Sequence, residues 1–329
     1  MTATPAKPLA DRLLHYLRRQ SDPIPATALL KRFKIDNAAL DSALRELTGW
    51  GYRIKKVRGI VKYVHAPDLL TPTEIQFMLK SKRIGHIAHC YKSVKSTNDL
   101  AAHLAEQGAS EGTIVTAEQQ TQGRGRLGRV WHSPEKTGIY LSILLRPSFT
   151  PDKAPGLSLM TALALADTLS RYCPGEVSIK WPNDILISNR KVAGILTELS
   201  AERNRINHVV VGIGINVNQK AGEFPSELQD LATSIRRATK KCIDRAELLR
   251  DFLFRFEIEY TKYHKHGLAP SRKRLRNYSA LLGHQVKLLS SSQTLEGKAI
   301  DIDADGALVL ECNGQRTRIS AGEVSVVKE

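Results

Sequence analysis

The chain has 329 residues, which exceeds one average domain of about 100–200 residues and therefore predicts two or three domains. Its 42% hydrophobic and 25% charged residues are enough to build a core, and no run approaches the roughly 18 apolar residues of a membrane span, so disordered and membrane-spanning classes are excluded. The 49 basic against 33 acidic residues give a net charge of +16, which predicts an acidic partner such as a nucleic acid, a phosphorylated ligand or an acidic protein.

Residues 1–66 predict a winged helix-turn-helix domain, in which three short helices precede a β-hairpin. An apolar stripe from Leu9 to Leu17 predicts the first helix, and a second helix follows the prolines at positions 23 and 25. Asp36 can cap a third helix, and alternating residues over 52–64 predict the two strands of the hairpin.

This predicted domain holds 13 Lys or Arg residues against 5 Asp or Glu, which is half of the net charge in a fifth of the chain. Such density favours DNA binding, because neutralised phosphates release their counterions. The residues predicted to contact DNA are Arg45, Lys55, Lys56 and Arg58. Because the third helix also carries Asp41 and Glu46, contacts to the DNA backbone are favoured over base readout. A winged helix that binds protein instead is the alternative.

The rest of the chain predicts a linker over 67–83, a central domain over 84–270 and a small C-terminal domain over 278–329. Predicted strands cover 113–117, 139–145, 177–181, 184–187, 192–199 and 209–216, and predicted helices cover 96–107, 157–171 and 245–263. Several of these strands follow each other without a helix between them, so a mixed or largely antiparallel sheet is predicted. The short alternating runs of the C-terminal domain predict a β-barrel of the SH3 type, with a role in capping or partner docking.

The densest chemical signal is the loop Gly123–Arg129 (G-R-G-R-L-G-R), here called the glycine–arginine loop. It satisfies G-x-G-x-x-G, but a polar run precedes it and Pro134 follows it, so the strand and helix of a dinucleotide-binding fold are missing. Glycines allow backbone N–H groups to approach an anion, and guanidinium groups pair with phosphate or carboxylate. The loop therefore predicts an anion site that closes over its ligand.

Three further motifs carry polar groups at the ends of predicted elements. Lys180–Asp184 (K-W-P-N-D) places a lysine at the edge of an apolar strand, where a bound acid would neutralise it, and Asp184 can orient this lysine or help to hold a metal. Gly212–Asn218 contains glycines that thin a strand for a packed ligand, with a simple β-bulge as the alternative. Ser96-Thr97-Asn98 is either a helix N-cap or a group of polar side chains that bind a small ligand.

Taken in chain order, these motifs and the run Lys191–Glu198 (K-V-A-G-I-L-T-E) resemble the biotin–protein ligase family, specifically its bifunctional form, which is also the biotin operon repressor. The resemblance spans nearly the whole chain. It implies an α+β multidomain protein with an N-terminal winged helix-turn-helix, a mixed-sheet catalytic domain like that of class II synthetases, and a C-terminal SH3-like barrel.

The resemblance also implies an activity. The enzyme would make biotinyl-5′-adenylate from biotin and ATP with Mg²⁺ and transfer biotin to a lysine of a biotin carboxyl carrier protein. In the bifunctional form the adenylate-bound homodimer binds the operator DNA of biotin genes and represses them. Two departures are visible: residues 57–63 lack the G-K-G-Y-like tip of the family's wing, and residues 323–327 lack the arginine that the family's barrel directs towards ATP.

Residue roles follow from the same resemblance. Biotin-binding positions are Ser96, Thr97, Asn98, Gln120, Arg124, Gly125, Arg126 and Lys180. Nucleotide-binding positions are Gly123, Arg129, Trp131, Asn183 and Asn216, and the catalytic cations are Lys180, Arg126 and Arg124. No nucleophilic side chain is required, because the carboxylate of biotin attacks the α-phosphorus while cations and Mg²⁺ neutralise both partners.

Other features of the sequence limit the remaining classes. The first twenty residues lack the apolar core of a secretion signal, and the four cysteines form no C-x-x-C pair, so a reduced, cytoplasmic protein without a membrane partner is expected. The histidines lack companions at metal-site spacing, so no metal site made by side chains is predicted. The alternatives are a ligase with a winged helix that does not bind DNA, a lipoate or octanoyl transferase, and a non-catalytic transcription factor that senses a small acid.

Overall fold

The structure, a computed structural model, describes residues 8–203, 205–289 and 294–327, and the chain divides into two compact units, Met1–Leu69 and Leu70–Glu329. In the first unit the elements are α1 (Leu9–Leu17), β1 (Ile24–Pro25), α2 (Ala26–Phe33), α3 (Asn37–Gly49), β2 (Arg53–Val57) and β3 (Ile60–His65). The strands form an antiparallel sheet in the order β1-β3-β2. Three helices and a hairpin therefore follow the predicted order.

Local signals explain how the helices and the hairpin of this unit are bounded. The Asp36 carboxylate accepts a hydrogen bond from Ala39 N at 2.8 Å, which confirms the predicted N-cap of α3. At the tip of the hairpin, Arg58 and Gly59 have φ values of 50° and 75°. Two consecutive positive φ angles are what a tight turn between right-twisted strands requires. The tip therefore presents a basic side chain at an exposed turn.

The second unit begins with α4 (Pro72–Gln76), a short helix inside the segment where the sequence suggested only a linker. The elements that follow, in chain order, are β4 (Ala88–Tyr91), α5 (Thr97–Glu106), β5 (Ile114–Ala117), β6 (Gly138–Leu145), α6 (Gly156–Leu169), β7 (Val177–Lys180), β8 (Asp184–Ile187), β9 (Arg190–Glu202), β10 (Arg205–Asn216), α7 (Ile235–Thr239), α8 (Arg245–His266), α9 (Arg272–Tyr278), β11 (Gln285–Leu289), β12 (Thr294–Ile302), β13 (Leu308–Cys312), β14 (Gln315–Ile319) and β15 (Glu323–Val326). None of the helices in the described ranges is long and apolar enough to cross a membrane.

The central sheet has seven strands in the order β4-β5-β6-β10-β9-β8-β7. Of these neighbours β4 and β5 are parallel and the others are antiparallel, which confirms the predicted mixed sheet. A second sheet, in the order β14-β13-β12-β11-β15, is antiparallel throughout and forms the C-terminal part of the unit.

The two faces of the central sheet are used differently. Along β10, Val209, Val211 and Ile213 belong to the main core with α6 and α8, and α6 is buried on all sides. Val210, on the opposite face, packs with residues of α5 and β5. Because side chains alternate along a strand, the residues that continue the α5 face are Gly212 and Gly214. This face is where the candidate site lies.

A buried ion pair joins Arg245 of α8 to Glu118, the residue that follows β5. The Arg245 guanidinium, which is fully buried, donates to Glu118 Oε2 at 2.8 Å and to the Gly138 carbonyl at 2.9 Å. The other oxygen of Glu118 accepts from Leu70 N at 2.7 Å. Each charge is therefore satisfied by its partner and by the backbone, as burial of an ion requires.

Arg245→Met is expected to lower the free energy of unfolding of the second unit by about 3–5 kcal/mol, because Glu118 would keep a buried charge without its partner. Urea denaturation followed by tryptophan fluorescence measures the change. Arg171→Met is the matched control: it removes an exposed pair with Asp251 (2.5 Å) and should cost less than about 1 kcal/mol. Equal losses in the two variants would contradict the assigned role of the buried pair.

Candidate active site

The floor of the site consists of three glycines on β9 and β10. Gly194 lies opposite Gly214 in the strand pairing, and Gly212 lies two residues before Gly214 on the same face. A Cβ on Gly212 would come within 2.3 Å of Asn98 Oδ1, and a Cβ on Gly214 within 2.3 Å of Trp131 Nε1. These glycines therefore let two side chains pack closely against the backbone, and the packing of a ligand there stays a prediction. The bulge alternative is wrong here, since the β10 pairing is regular from residue 208 to 216.

The predicted N-cap in the Ser96-Thr97-Asn98 motif is confirmed, and the polar groups predicted to bind a ligand lie together. Ser96 is the N-cap of α5 and its Oγ accepts from Asp99 N at 3.4 Å. Thr97 donates from both N and Oγ1 to Gln120 Oε1, at 2.9 and 3.0 Å. Asn98 Nδ2 donates to Glu198 Oε2 at 2.6 Å. All three residues of the motif are buried, so their amide and hydroxyl groups form a fixed polar network that can bind the polar atoms of a small ligand.

Ser142 completes this polar network, although the sequence analysis did not single it out. Its Oγ lies 2.8 Å from Thr97 Oγ1 and 2.6 Å from Asn98 Oδ1. Ser142 faces Gly212 across the β6–β10 pairing, which brings it to the glycine floor. The signal that could have identified it is a serine placed inside an otherwise apolar strand.

The glycine–arginine loop forms a short, closed hairpin. Arg124 and Val130 form an antiparallel bridge, Gly125 N donates to Arg129 O at 2.7 Å, and Trp131 N donates to Gly123 O at 2.9 Å. A Cβ on Gly123 would come within 2.6 Å of the Trp131 carbonyl oxygen, so glycine is required at this position. The hairpin fixes where each arginine points.

The three arginines of the loop have different partners. Arg124 donates to both oxygens of Asp99. Arg129 pairs with Glu323 at 2.5 Å. Arg126 instead donates to two neutral acceptors, the Asn183 side-chain oxygen at 3.2 Å and the Gly322 carbonyl at 3.4 Å.

The charge of Arg126 therefore remains available to an anion. Arg126 is half-buried, and its described hydrogen-bond acceptors carry no formal charge. A bound phosphate or carboxylate would gain a charge-assisted hydrogen bond there without first displacing a protein carboxylate.

The K-W-P-N-D motif joins the central sheet to the C-terminal sheet. Lys180 ends β7 and is half-buried, as the sequence suggested. Trp181 is buried and donates from Nε1 to the Gly306 carbonyl at 2.9 Å, and the Trp181–Pro182 peptide bond is cis. Asn183 exchanges hydrogen bonds with the backbone of Ile195, both at 3.0 Å. The motif therefore fixes the turn against which Arg126 lies.

A second lysine, Lys191, lies beside Trp131, although its sequence motif did not predict a role for it in the site. Lys191 Nζ pairs with Asp184 Oδ1 at 2.7 Å and lies 5.4 Å from the centre of the Trp131 ring. Asp184 thus pairs with Lys191 rather than orienting Lys180. The structure brings Trp131, Lys191 and Asp184 together on the glycine floor, and the position of Lys191 on β9, three residues before Gly194, is the signal that could have identified it.

Asn216 ends β10 and is buried next to a second amide. Gln219 Nε2 donates to Asn216 Oδ1 at 3.3 Å. Among the described residues, five buried side-chain atoms lack a hydrogen-bond partner, and three of them, Gln219 Oε1, Trp131 Nε1 and Asp184 Oδ1, belong to this region. Asp184 Oδ1 lies close enough to Lys191 Nζ for an ion pair but does not accept a hydrogen bond from it. Buried polar atoms are normally satisfied, so unsatisfied ones at this place fit a site whose ligand supplies the missing partners.

The oxygen donors at the site are suited to a metal that arrives with phosphates. In the described part of the chain no group of three or more His, Cys, Asp or Glu residues could hold a metal ion. Mg²⁺ is commonly held by one or two protein oxygens and by the phosphates of its ligand. Asp184 and Asn216 supply such oxygens and fit this arrangement.

Gly214→Ala is expected to push the Trp131 indole off the sheet, because the added methyl group would lie about 2.3 Å from Nε1. Tryptophan emission should shift to longer wavelength as the ring enters water, and the shift should vanish when Trp131 is also replaced by Phe. Gly222→Ala is the control, since a Cβ there meets nothing within 4 Å. An unchanged spectrum in Gly214→Ala would contradict the close packing of the ring.

Comparison with known proteins identifies the family. Residues 90–216 match the biotin/lipoate A/B protein ligase family and residues 281–327 match the biotin protein ligase C-terminal domain. The bifunctional ligase/repressor BirA of Bacillus subtilis (strain 168) is 39% identical over 284 residues, which are 86% of this chain and 87% of the relative. The biotin–[acetyl-CoA-carboxylase] ligase of Mycobacterium tuberculosis is 36% identical over 70% of this chain and 85% of its own length.

A solved structure supports the same conclusion. The biotin protein ligase from Aquifex aeolicus, in complex with biotin and ATP, is 33% identical with a TM-score of 0.65, and the match covers 74% of this chain and 100% of that chain. With two domain models in the expected order and a relative that aligns over most of both lengths, this chain belongs to the biotin protein ligase family.

Proposed function

We propose that this chain activates biotin with ATP to biotinyl-5′-adenylate and transfers biotin to a lysine of a biotin carboxyl carrier protein. The proposal is carried by two features of the site. Arg126 is a cation whose described acceptors are neutral, and Trp131, Lys191 and Asp184 lie together on the glycine floor. Relatives of this chain are named biotin–[acetyl-CoA-carboxylase] ligases, and a related structure holds biotin and ATP.

The residues suit a displacement at phosphorus. The biotin carboxylate would form a bond to the α-phosphorus of ATP as the bond to pyrophosphate breaks, and the lysine amine of the carrier would then attack the acyl carbon and release AMP. Both partners of the first step are anionic, so cations at the site lower its barrier. Arg126 and Lys180 would supply this charge, since neither has a carboxylate partner among the described contacts, and Lys191, which Asp184 already neutralises, lies beside Trp131. Mg²⁺ bound with the phosphates would neutralise them further.

Binding roles divide between the two ends of the floor. The network of Thr97, Asn98 and Gln120 offers hydroxyl and amide groups for the polar ring of biotin. Trp131 offers an aromatic face for the purine, and Asn216 offers an amide near the phosphates. Gly123, Gly125 and Asn183 hold the loop and the turn that bring these groups together. Residues 84–270 form the catalytic domain in this proposal.

Biotin is favoured over lipoate as the substrate. The model that matches residues 90–216 covers biotin and lipoate ligases alike. The second match, over residues 281–327, is to a domain of biotin protein ligases. The C-terminal five-stranded sheet, for which we propose an SH3-like barrel over 278–329, therefore points to biotin.

Exchange of labelled pyrophosphate into ATP tests the activation step directly. The full chain with MgATP should catalyse the exchange when biotin is supplied and not when lipoate is supplied. Lys180→Met should reduce the exchange by at least a hundredfold, whereas Lys262→Met, which removes an exposed lysine bound to Glu259, should leave it unchanged. No exchange with biotin would contradict the ligase assignment, and exchange with lipoate alone would favour the rival.

Arg126→Ala is expected to release biotinyl-5′-adenylate at least tenfold faster than the wild-type chain, because its guanidinium holds the loop against Asn183 and faces the anion. The freed adenylate should then biotinylate unrelated lysines. Filter-binding release kinetics and a streptavidin blot with albumin as acceptor measure the two effects. Arg171→Ala is the control, and retention equal to wild type in Arg126→Ala would refute the role of this arginine.

A second function, repression, is proposed for residues 1–66 as a winged helix joined to the rest of the chain through 67–83. The relative from Bacillus subtilis is named a ligase and repressor over a match that covers 86% of this chain. On α3 Arg45 is exposed, and on the hairpin Lys55 and Arg58 are exposed. Lys56 pairs with Asp41 of α3 at 2.6 Å, so the hairpin is fixed to the helix that would enter the groove.

In this proposal the adenylate-bound homodimer binds operator DNA of biotin genes in the cytoplasm. Lys55→Ala and Arg58→Ala should each weaken binding and reduce the slope of log affinity against log salt by about 1, whereas Lys56→Ala should have a smaller effect because Asp41 already neutralises it. A mobility-shift series with a biotin-gene promoter, with and without biotin and MgATP, measures these slopes. Binding that does not respond to salt or to the adenylate would favour a ligase whose winged helix does not bind DNA.

A further inference from the structure

Two carboxylates from different elements hold the first arginine of the glycine–arginine loop. Arg124 donates from one terminal nitrogen to Asp99 Oδ2 at 2.9 Å and from the other to Asp99 Oδ1. The second nitrogen also lies 3.6 Å from Glu198 Oε1. Asp99 belongs to the first turn of α5 and Glu198 to β9. The Arg124 guanidinium therefore connects the glycine–arginine loop to α5 and to β9, the elements that carry Asn98 and its partner Glu198.

Glu198 connects this ion-pair group to the buried part of the site. Its other oxygen, Oε2, accepts from Asn98 Nδ2 at 2.6 Å. Asn98 lies directly on Gly212, where no side chain could fit beneath it. A change in the position of Arg124 would therefore move Glu198 and, through it, the side-chain amide of Asn98 in the site.

We propose that Asp99 and Glu198 are positioning residues that hold the glycine–arginine loop closed over Ser96, Thr97 and Asn98 through Arg124, and so set the rate at which bound ligand leaves. The inference rests on the proposed function and refines it. Arg124 is assigned to loop closure, because its guanidinium is already bound by carboxylates, and the contact with the anion is left to Arg126.

The exposure and charge of the pair suit a contact that opens and closes. The Arg124 and Asp99 side chains are 39% and 52% exposed, so water and salt reach the pair and its strength is moderate. The hydrogen bonds from Arg124 hold the pKa of the Asp99 carboxyl below its ordinary value, so Asp99 is ionised at neutral pH. The N-terminal turn of α5 also favours an acidic side chain. A fully buried pair in this place would oppose the opening that each turnover needs.

Release of preformed adenylate from the full chain tests the proposal. Labelled biotinyl-5′-adenylate is made on the protein from biotin and MgATP, and its dissociation is followed after a chase with unlabelled biotin and ATP. Asp99→Asn should release the adenylate about three- to tenfold faster, and Glu198→Gln should also speed release. Because the pair is exposed, release from the wild-type chain should accelerate between about 0.05 and 0.5 M salt, and this dependence should be smaller in Asp99→Asn.

Matched variants separate a specific contact from a general loss of structure. Asp251→Asn breaks another exposed arginine pair, that with Arg171, and should leave release unchanged. Arg124→Gln combined with Asp99→Asn should be no faster than either single variant, since all three break the same contact. Asp99→Glu should restore slow release at least partly.

The outcomes divide between the two proposals. Absence of adenylate on the wild-type chain would refute the proposed function. Two results would overturn the positioning role and leave the proposed function intact, provided that adenylate forms normally. The first is release from Asp99→Asn and Arg124→Gln at the wild-type rate. The second is release from the double variant that is accelerated by the product of the two single effects.

Discussion

The candidate site depends on the absence of side chains at three neighbouring positions of one sheet face. Gly194, Gly212 and Gly214 let Asn98 and Trp131 lie directly on the backbone of β9 and β10. Strand alternation places large apolar residues, such as Val211 and Ile213, on the opposite face, where they build the core with α6. The same two strands therefore build the core on one face and a closely packed candidate site on the other.

The charges around this floor are largely paired within the protein, in spite of the strongly basic composition. Such pairing lets a cationic site fold without the repulsion that unpaired neighbours would cause. The pairs are Arg124 with Asp99 and Glu198, Arg129 with Glu323, and Lys191 with Asp184. Of the three loop arginines, Arg126 is the one whose described acceptors are neutral, so an incoming anion would meet less competition there than at Arg124 or Arg129. In the proposed function this difference assigns the contact with the anion to Arg126.

Sequence patterns predicted most of the elements in their order and the mixed sheet, because each has a local signal in periodicity or caps, and glycine spacing located the glycine–arginine loop. The presence of a second lysine beside the site was not predictable in the same way. Lys180 and Lys191 both border apolar strands, and strand pairing decides that Lys191 is the one that meets Asp184 and Trp131. The partners of the loop arginines were hidden for the same reason, since Asp99 and Glu323 are distant in sequence. Helix α4 is only five residues long and has too little periodicity to be recognised.

The C-terminal sheet contributes to the site through acceptors rather than through a cation. It lacks the arginine that the family resemblance implied, yet its Gly322 carbonyl accepts from Arg126 and its Glu323 pairs with Arg129. An unpaired carboxylate near phosphates would repel them, so Glu323 would be compatible with the proposed nucleotide site because Arg129 neutralises it. The Gly306 carbonyl, which accepts from Trp181, holds the K-W-P-N-D turn in the same manner. The sheet therefore fixes the loop and the turn that carry the cations of the central domain, and in the proposed function it would act on the nucleotide only through them.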